Sequence, residues 1–90
     1  MKYQIEFVRK AAKQFKTLSS QEQQRLKSKI DNLELEPRPS GVTKLSGEQN
    51  LYRIRVGNYR VIYSTEDAKL IILVVKIGHR RDLSIIVMSR

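Results

Sequence analysis

Between residues 51 and 64 the side chains alternate about a two-residue break, and this pattern constrains the fold more than any other feature. Tyr52, Ile54 and Val56 alternate with Leu51, Arg53 and Arg55; after Gly57-Asn58, Tyr59, Val61 and Tyr63 alternate with Arg60, Ile62 and Ser64. A period of two belongs to a half-buried strand, and a Gly-X pair between two such runs is a tight hairpin turn. One face of this hairpin is apolar and must be covered.

The cover lies upstream. Residues 2–8 alternate Tyr3, Ile5 and Phe7 against Lys2, Gln4 and Glu6, which predicts a strand. From Val8 the period lengthens. Val8, Ala11, Ala12, Phe15 and Leu18 form one stripe of a short helix, with Lys10, Lys13 and Lys16 off it. Ser19-Ser20 stops that helix and starts another. Ser20 with Gln23, or alternatively Ser19 with Glu22, has capping-box spacing. Leu26, Ile30 and Leu33 mark the apolar face of the second helix, which ends before Pro37. Residues 37–49 hold both prolines and two of the four glycines, and read as a loop within one domain. Residues 66–68 make a turn. Residues 70–77 are apolar on both faces, interrupted only by Lys76, and predict a central strand covered twice and ended by Gly78.

The order is therefore β-α-α-β-β-β. It predicts an α+β fold in which a helix hairpin packs on one mainly antiparallel four-stranded sheet. At 90 residues the chain has room for a single domain, residues 1–90.

Composition narrows the chemistry. The chain has no Cys, which excludes a disulfide scaffold, a Cys-type zinc site and thiol catalysis. A single His, His79, excludes a His-rich metal site and argues against a Ser-His-Asp triad. Neither a metal nor a small-molecule cofactor is expected. The longest apolar run, residues 70–75, is far shorter than the ~20 residues of a membrane span, and residues 1–15 lack a signal-peptide pattern. A soluble, cytoplasmic protein is expected. The net charge of +9, from 18 Lys+Arg against 9 Asp+Glu, favours a polyanionic partner, either nucleic acid or an acidic protein.

That charge has a focus. If Tyr52, Ile54 and Val56 face the helices, Arg53 and Arg55 face away, and Arg60 joins them from the next strand. His79, Arg80 and Arg81 follow the central strand, where its end can deliver them to the rim of the same face; Lys44, in the preceding loop, is placed to complete the ring. Like charges clustered on a sheet face are unfavourable without an anion. Two readings stand: a cationic pocket that grips phosphate, or a solvated outer face. Convergence of these arginines and a His from three strands favours the pocket. Arginine forks match phosphate oxygens and remain charged. RNA carries its own nucleophile, the 2′-hydroxyl; arginine can stabilise the phosphorane but, with a pKa above ~12, is a poor general base. His79 is of the side-chain type suited to proton transfer at neutral pH; its alternative reading is a hydrogen-bonding helper at a strand end. Tyr52, Tyr59 and Tyr63 point inward and read as core.

These residues carry a family resemblance. L-Y-R-I-R-V-G-N-Y-R-V-I-Y over residues 51–63, followed by V-V-K-I-G-H-R-R-D over 74–82, resembles the RelE/ParE superfamily of toxin–antitoxin toxins, and most the RelE branch. The helix hairpin and K-L-S-G at 44–47 fit the same pattern. The resemblance implies a toxin that cuts mRNA in the ribosomal A site without a metal and is neutralised by a RelB-like antitoxin wrapped around it. It implies that Arg53 and Arg55 hold the positions where some relatives carry lysines, one of them a proposed base. It implies that Arg60 orients the scissile phosphate, that Arg80 neutralises charge on the phosphorane or leaving group, and that His79 and Arg81 assist. Relatives continue G-H-R-R-D-x-Y; here Ser84 stands at the Tyr position among the RNA-binding residues, and Ser cannot stack on a base. Two alternatives belong to the same fold: a ParE-like inhibitor of DNA gyrase, and a catalytically weakened relative that binds an antitoxin.

Overall fold

The computed structural model describes residues 2–45 and 50–79. In chain order these form β1 (Gln4–Phe7), α1 (Arg9–Lys16), α2 (Ser20–Asn32), β2 (Thr43–Lys44), β3 (Leu51–Val56), β4 (Tyr59–Glu66) and β5 (Ile71–His79). The sheet has five strands in the order β1-β5-β4-β3-β2. β1 lies parallel to β5, and the other pairings are antiparallel.

The α+β class and the helix hairpin agree with the sequence, but the expected four strands are five. The extra strand is β2, where Thr43 pairs with Arg53 and Lys44 with Tyr52. Two residues are too few to show a period, so a loop composition hid an edge strand.

The connection between the helices is built by side chains. The Ser19 hydroxyl accepts from the Glu22 amide, and the Glu22 carboxylate accepts from the Ser19 amide: the capping box uses the Ser19 frame. Gln23, the competing candidate, has another task. Its carboxamide donates to the carbonyls of Phe15 and Leu18, at 3.2 and 3.1 Å, closing the orphaned end of α1. Gly57 opens the β3–β4 turn at φ +61°, the conformation the Gly-X hairpin demands. A Cβ there would lie 3.3 Å from an Arg25 guanidinium nitrogen, so α2 also approaches this turn closely.

The core lies between the helices and one face of the sheet. Ala11, Leu26, Ile30 and Leu33 meet Ile54, Val61, Tyr63, Ile72, Val74 and Ile77. The inward tyrosines are as expected: the Tyr52 and Tyr63 rings stack at 5.8 Å, and Tyr63 donates to the Pro37 carbonyl at 2.7 Å. Next to that bond, Arg38 pairs with Asp67, which also accepts from the Tyr3 hydroxyl at 2.6 Å. Loop, turn and first strand are thus tied together. The Tyr3 hydroxyl and the Arg38 guanidinium hold the Asp67 carboxyl below its ordinary range.

β5 is central, as expected, but its alternation is broken. Val74 pairs with Tyr63, yet Lys76 pairs with Ile62, leaving Val75 as the extra residue of a β-bulge. Ile72, Val74 and Ile77 are buried on the helix side, while Ile71, Leu73 and Val75 are only half-buried. Among the described residues the helices cover one face of β5, not two. Beyond the end of β1, α1 takes over the exposed edge of β5. There the Ile77 amide donates to the Gln14 side-chain oxygen at 2.9 Å, in place of a neighbouring strand.

Candidate phosphate-binding face

The face away from the helices carries the guanidiniums. Register places them in two rows across β3, β4 and β5. One row reads Arg55, Arg60, Gly78 and the next Arg53, Ile62, Lys76. Rows step by one strand spacing, ~4.8 Å, so a single phosphodiester linkage can span several of these groups. Gly78, the partner of Arg60, carries no side chain on this face. Ile62 is only 7% exposed at the centre of the grid, giving the site an apolar floor. Arg55 is exposed, and Arg53, Arg60 and Lys76 are half-buried. Arg53, Arg55 and Lys76 take part in none of the ion pairs formed among the described residues.

Lys76 was missed by sequence reasoning, which treated it as an interruption in an apolar run. The bulge explains its place. With strict alternation Lys76 would share the core face with Ile72 and Val74; one extra residue turns it out beside Arg60. Lys10, in the first turn of α1, lies near enough for its charge to act on Lys76. Burial, and then the charge of Lys10, pull Lys76 below the ordinary lysine range.

Arg53, Arg55 and Arg60 are thus brought together as expected. His79 is not with them. It pairs with Tyr59, and their rings meet edge-on at 5.6 Å, on the helix side of the sheet. The sequence reading ended the strand at Gly78, but β5 runs one residue further, and alternation from Ile77 carries His79 to the other face. Lys44 is also displaced from the expected ring: as the partner of Tyr52 it shares the tyrosine face, and its neighbour Thr43 lies beside Arg53. Arg80, Arg81 and Ser84 lie outside the described residues.

A second surface lies on the helix side. Ile5 and Phe7 of β1, Ala12 and Phe15 of α1 and Ile30 of α2 line an open groove of about 520 Å³. Phe7, 37% exposed, meets Phe15 edge-on at 6.0 Å. Lys16, Lys27, Asp31 and Glu34 supply charges to the groove lining. Among the described residues no group of three or more His, Asp or Glu side chains gathers as a metal-ligand set. No described helix is long and apolar enough to cross a membrane.

A five-stranded sheet with a helix hairpin on one side and a cationic grid on the other defines a small basic α+β protein built to meet an anion. The comparisons give it a family: this chain belongs to the RelE/ParE superfamily of type II toxin–antitoxin toxins. Residues 5–83 match the family described as ParE toxin of type II toxin-antitoxin system, parDE. The mRNA interferase toxin RelE of Escherichia coli (strain K12) is 30% identical over 82 residues, 89% of this chain and 85% of that protein. In the archaeal RelE–RelB complex from Pyrococcus horikoshii OT3, the matched chain superposes with a TM-score of 0.79 at 34% identity, covering 89% of this chain and 97% of that one. A chain of the intact E. coli RelBE toxin–antitoxin complex gives 0.78 at 29% identity, over 86% and 95%.

Proposed function

We propose that this protein is a cytoplasmic, ribosome-dependent mRNA endonuclease, the toxin of a RelB-neutralised pair, with residues 1–90 acting as one domain. The observation that carries the reading is the convergence of Arg53, Arg55 and Arg60 from adjacent strands on one face. Support also comes from the relative named as an mRNA interferase and from the RelE–RelB complexes.

The reaction is metal-independent attack of the ribose 2′-hydroxyl on the adjacent phosphorus. Arg60 orients the scissile phosphate. Arg53 and Arg55 hold its flanking charge. Arg80 neutralises the developing phosphorane, with Arg81 and Ser84 along the RNA path. Preorganised guanidiniums suit this task, because they need no reorganisation as charge builds on the phosphoryl oxygens. The ribosome presents mRNA in the A site with its backbone exposed to the grid. The antitoxin takes the other surface: an amphipathic helix laid into the Phe7–Phe15–Ile30 groove buries its apolar stripe there.

The experiment is induced expression with mapping of mRNA 5′ ends. New ends within codons are expected, and an Arg60→Ala, Arg80→Ala double variant should fold yet leave growth unaffected. Intact mRNA during growth arrest would overturn the reading. The match to the ParE family supports a second reading, gyrase inhibition. Accumulation of cleaved DNA complexes with purified gyrase would select it.

A further inference from the structure

We propose that Lys76 is the general base of the cleavage step, taking the proton from the ribose 2′-hydroxyl. This rests on the endonuclease reading above and adds to it the group that arginine cannot supply. A guanidinium is a poor proton acceptor, so the arginines of this face suit charge stabilisation and not the role of base. His79 stands beside Tyr59 on the opposite side of the sheet. Lys76 shares a face with the guanidiniums, diagonal to Arg60 and one same-face position before Gly78, which carries no side chain of its own. A lysine becomes a base when its charged form is disfavoured, and the surroundings act in that sense. Ile62 is its buried apolar partner on β4, burial and the charge of Lys10 on α1 disfavour its ammonium, and Arg60 on β4 and Arg53 on β3 lie on the same face. The acidic group of β1 on this face, Glu6, is aligned with Leu73, further down β5.

The bulge at Val75 is the second observation. It costs β5 a regular ladder and exposes a charge-bearing position beside the grid; bulges recur where a strand must re-aim a side chain next to an active site. In the step itself the neutral Lys76 amine takes the 2′-hydroxyl proton as the 2′-oxygen bonds to phosphorus. The bond from phosphorus to the 5′-oxygen then breaks. The leaving 5′-oxygen takes a proton from water, and the Lys76 ammonium returns its own to solvent. The products are a 2′,3′-cyclic phosphate and a 5′-hydroxyl, and no proton or electron is left over.

Single-turnover cleavage of mRNA on ribosomes with a vacant A site tests this. K76M and K76R should each lower the rate by ~10²–10⁴-fold, the usual worth of a general base. K76R decides the role, since it keeps the charge and loses the base; near-wild-type cleavage by K76R would overturn the proposal. The K10M variant removes the neighbouring charge. It should move the ascending limb of the pH–rate profile to higher pH, in step with the Lys76 titration followed by the ¹³Cε resonance. A limb that stays in place while that resonance shifts would also overturn it. An inactive Arg60→Ala variant beside an active K76M sinks the Lys76 assignment alone; a wild-type protein that cuts no ribosomal mRNA removes the endonuclease reading and this step with it.

Discussion

Arg55 on β3 and Arg60 on β4 are direct cross-strand partners, so two guanidiniums project side by side from the face that points away from the core. Opposite side chains in an antiparallel pair have Cβ atoms only ~4.5–5.5 Å apart, and like charges there destabilise the sheet. The arrangement suits a bound anion better than the free protein. Arg55→Ala should therefore separate stability from binding. The variant should be slightly more stable to urea, by ~0.2–1 kcal/mol, yet bind RNA less tightly. The slope of log K against log salt should also shrink by ~0.7, the contribution of one phosphate on a single strand. A variant that loses stability, or binds RNA with an unchanged slope, would place the phosphate elsewhere.

Much of this face was legible in the sequence, because alternation is a local property. Tyr52 and Arg53 differ by one position in a regular strand, and once the tyrosines are placed inward the arginines must point out. What failed was what depends on another strand. Lys44 takes its direction from pairing with Tyr52, and nothing near Lys44 reveals that partner. His79 required knowing that β5 continues past Gly78. Lys76 required the bulge, since simple alternation from Val74 would send it into the core. The parallel pairing of β1 with β5 is likewise set by packing: α1 and α2 carry the chain from β1 to β2 at the far edge of the sheet, and no residue of β1 announces its neighbour. The capping frame fell between two adjacent serines. Gln23 decided it, by turning its side chain back to α1.

Gln14 does the work of a strand. Past Phe7 there is no β1 residue to accept from the Ile77 amide, and the Gln14 side-chain oxygen takes its place at 2.9 Å. Ile77 is almost fully buried, so losing that acceptor leaves its amide poorly solvated. Gln14→Ala should cost ~1–3 kcal/mol, the penalty of an unsatisfied buried donor. Hydrogen exchange locates the effect: the Ile77 amide should exchange faster by more than the global loss of stability explains. Uniform acceleration across the sheet would mean that Gln14 acts only through packing.

Tyr63 ties stability to pH on the alkaline side. It is buried against Tyr52 with its hydroxyl donating to the Pro37 carbonyl. Burial, and then the neighbouring Tyr52, push its pKa from 10.0 up to about 12. A raised pKa means that the folded state holds the phenol proton more tightly than the unfolded chain. This contribution to stability is complete below pH 10, and is lost as pH rises toward about 12. Urea midpoints should fall across that interval in the wild type. In Tyr63→Phe the fall should be smaller, from a starting stability reduced by about 1 kcal/mol for the lost hydrogen bond. Equal alkaline slopes in the two proteins would assign the transition to other groups.

Lys76 makes the opposite kind of contribution. The unfolded chain binds its proton more tightly than the native one, because burial and Lys10 depress the native pKa. Below the native pKa both states are protonated, and the native state bears the full cost of holding that charge beside Ile62 and Lys10. As pH rises from the native pKa toward the ordinary value of 10.5, the unfolded chain carries more protons, so stability increases. Lys76→Met removes the charge and keeps an unbranched chain of similar reach. The variant should therefore exceed the wild type in urea midpoint at pH 7, with the gap narrowing by pH 10. Such a gain, joined to the loss of cleavage argued above, is the signature of a residue kept for chemistry at the expense of stability. A Met variant less stable than the wild type at pH 7 would show instead that the ammonium is held by a favourable contact, and Lys76 would then be part of the scaffold.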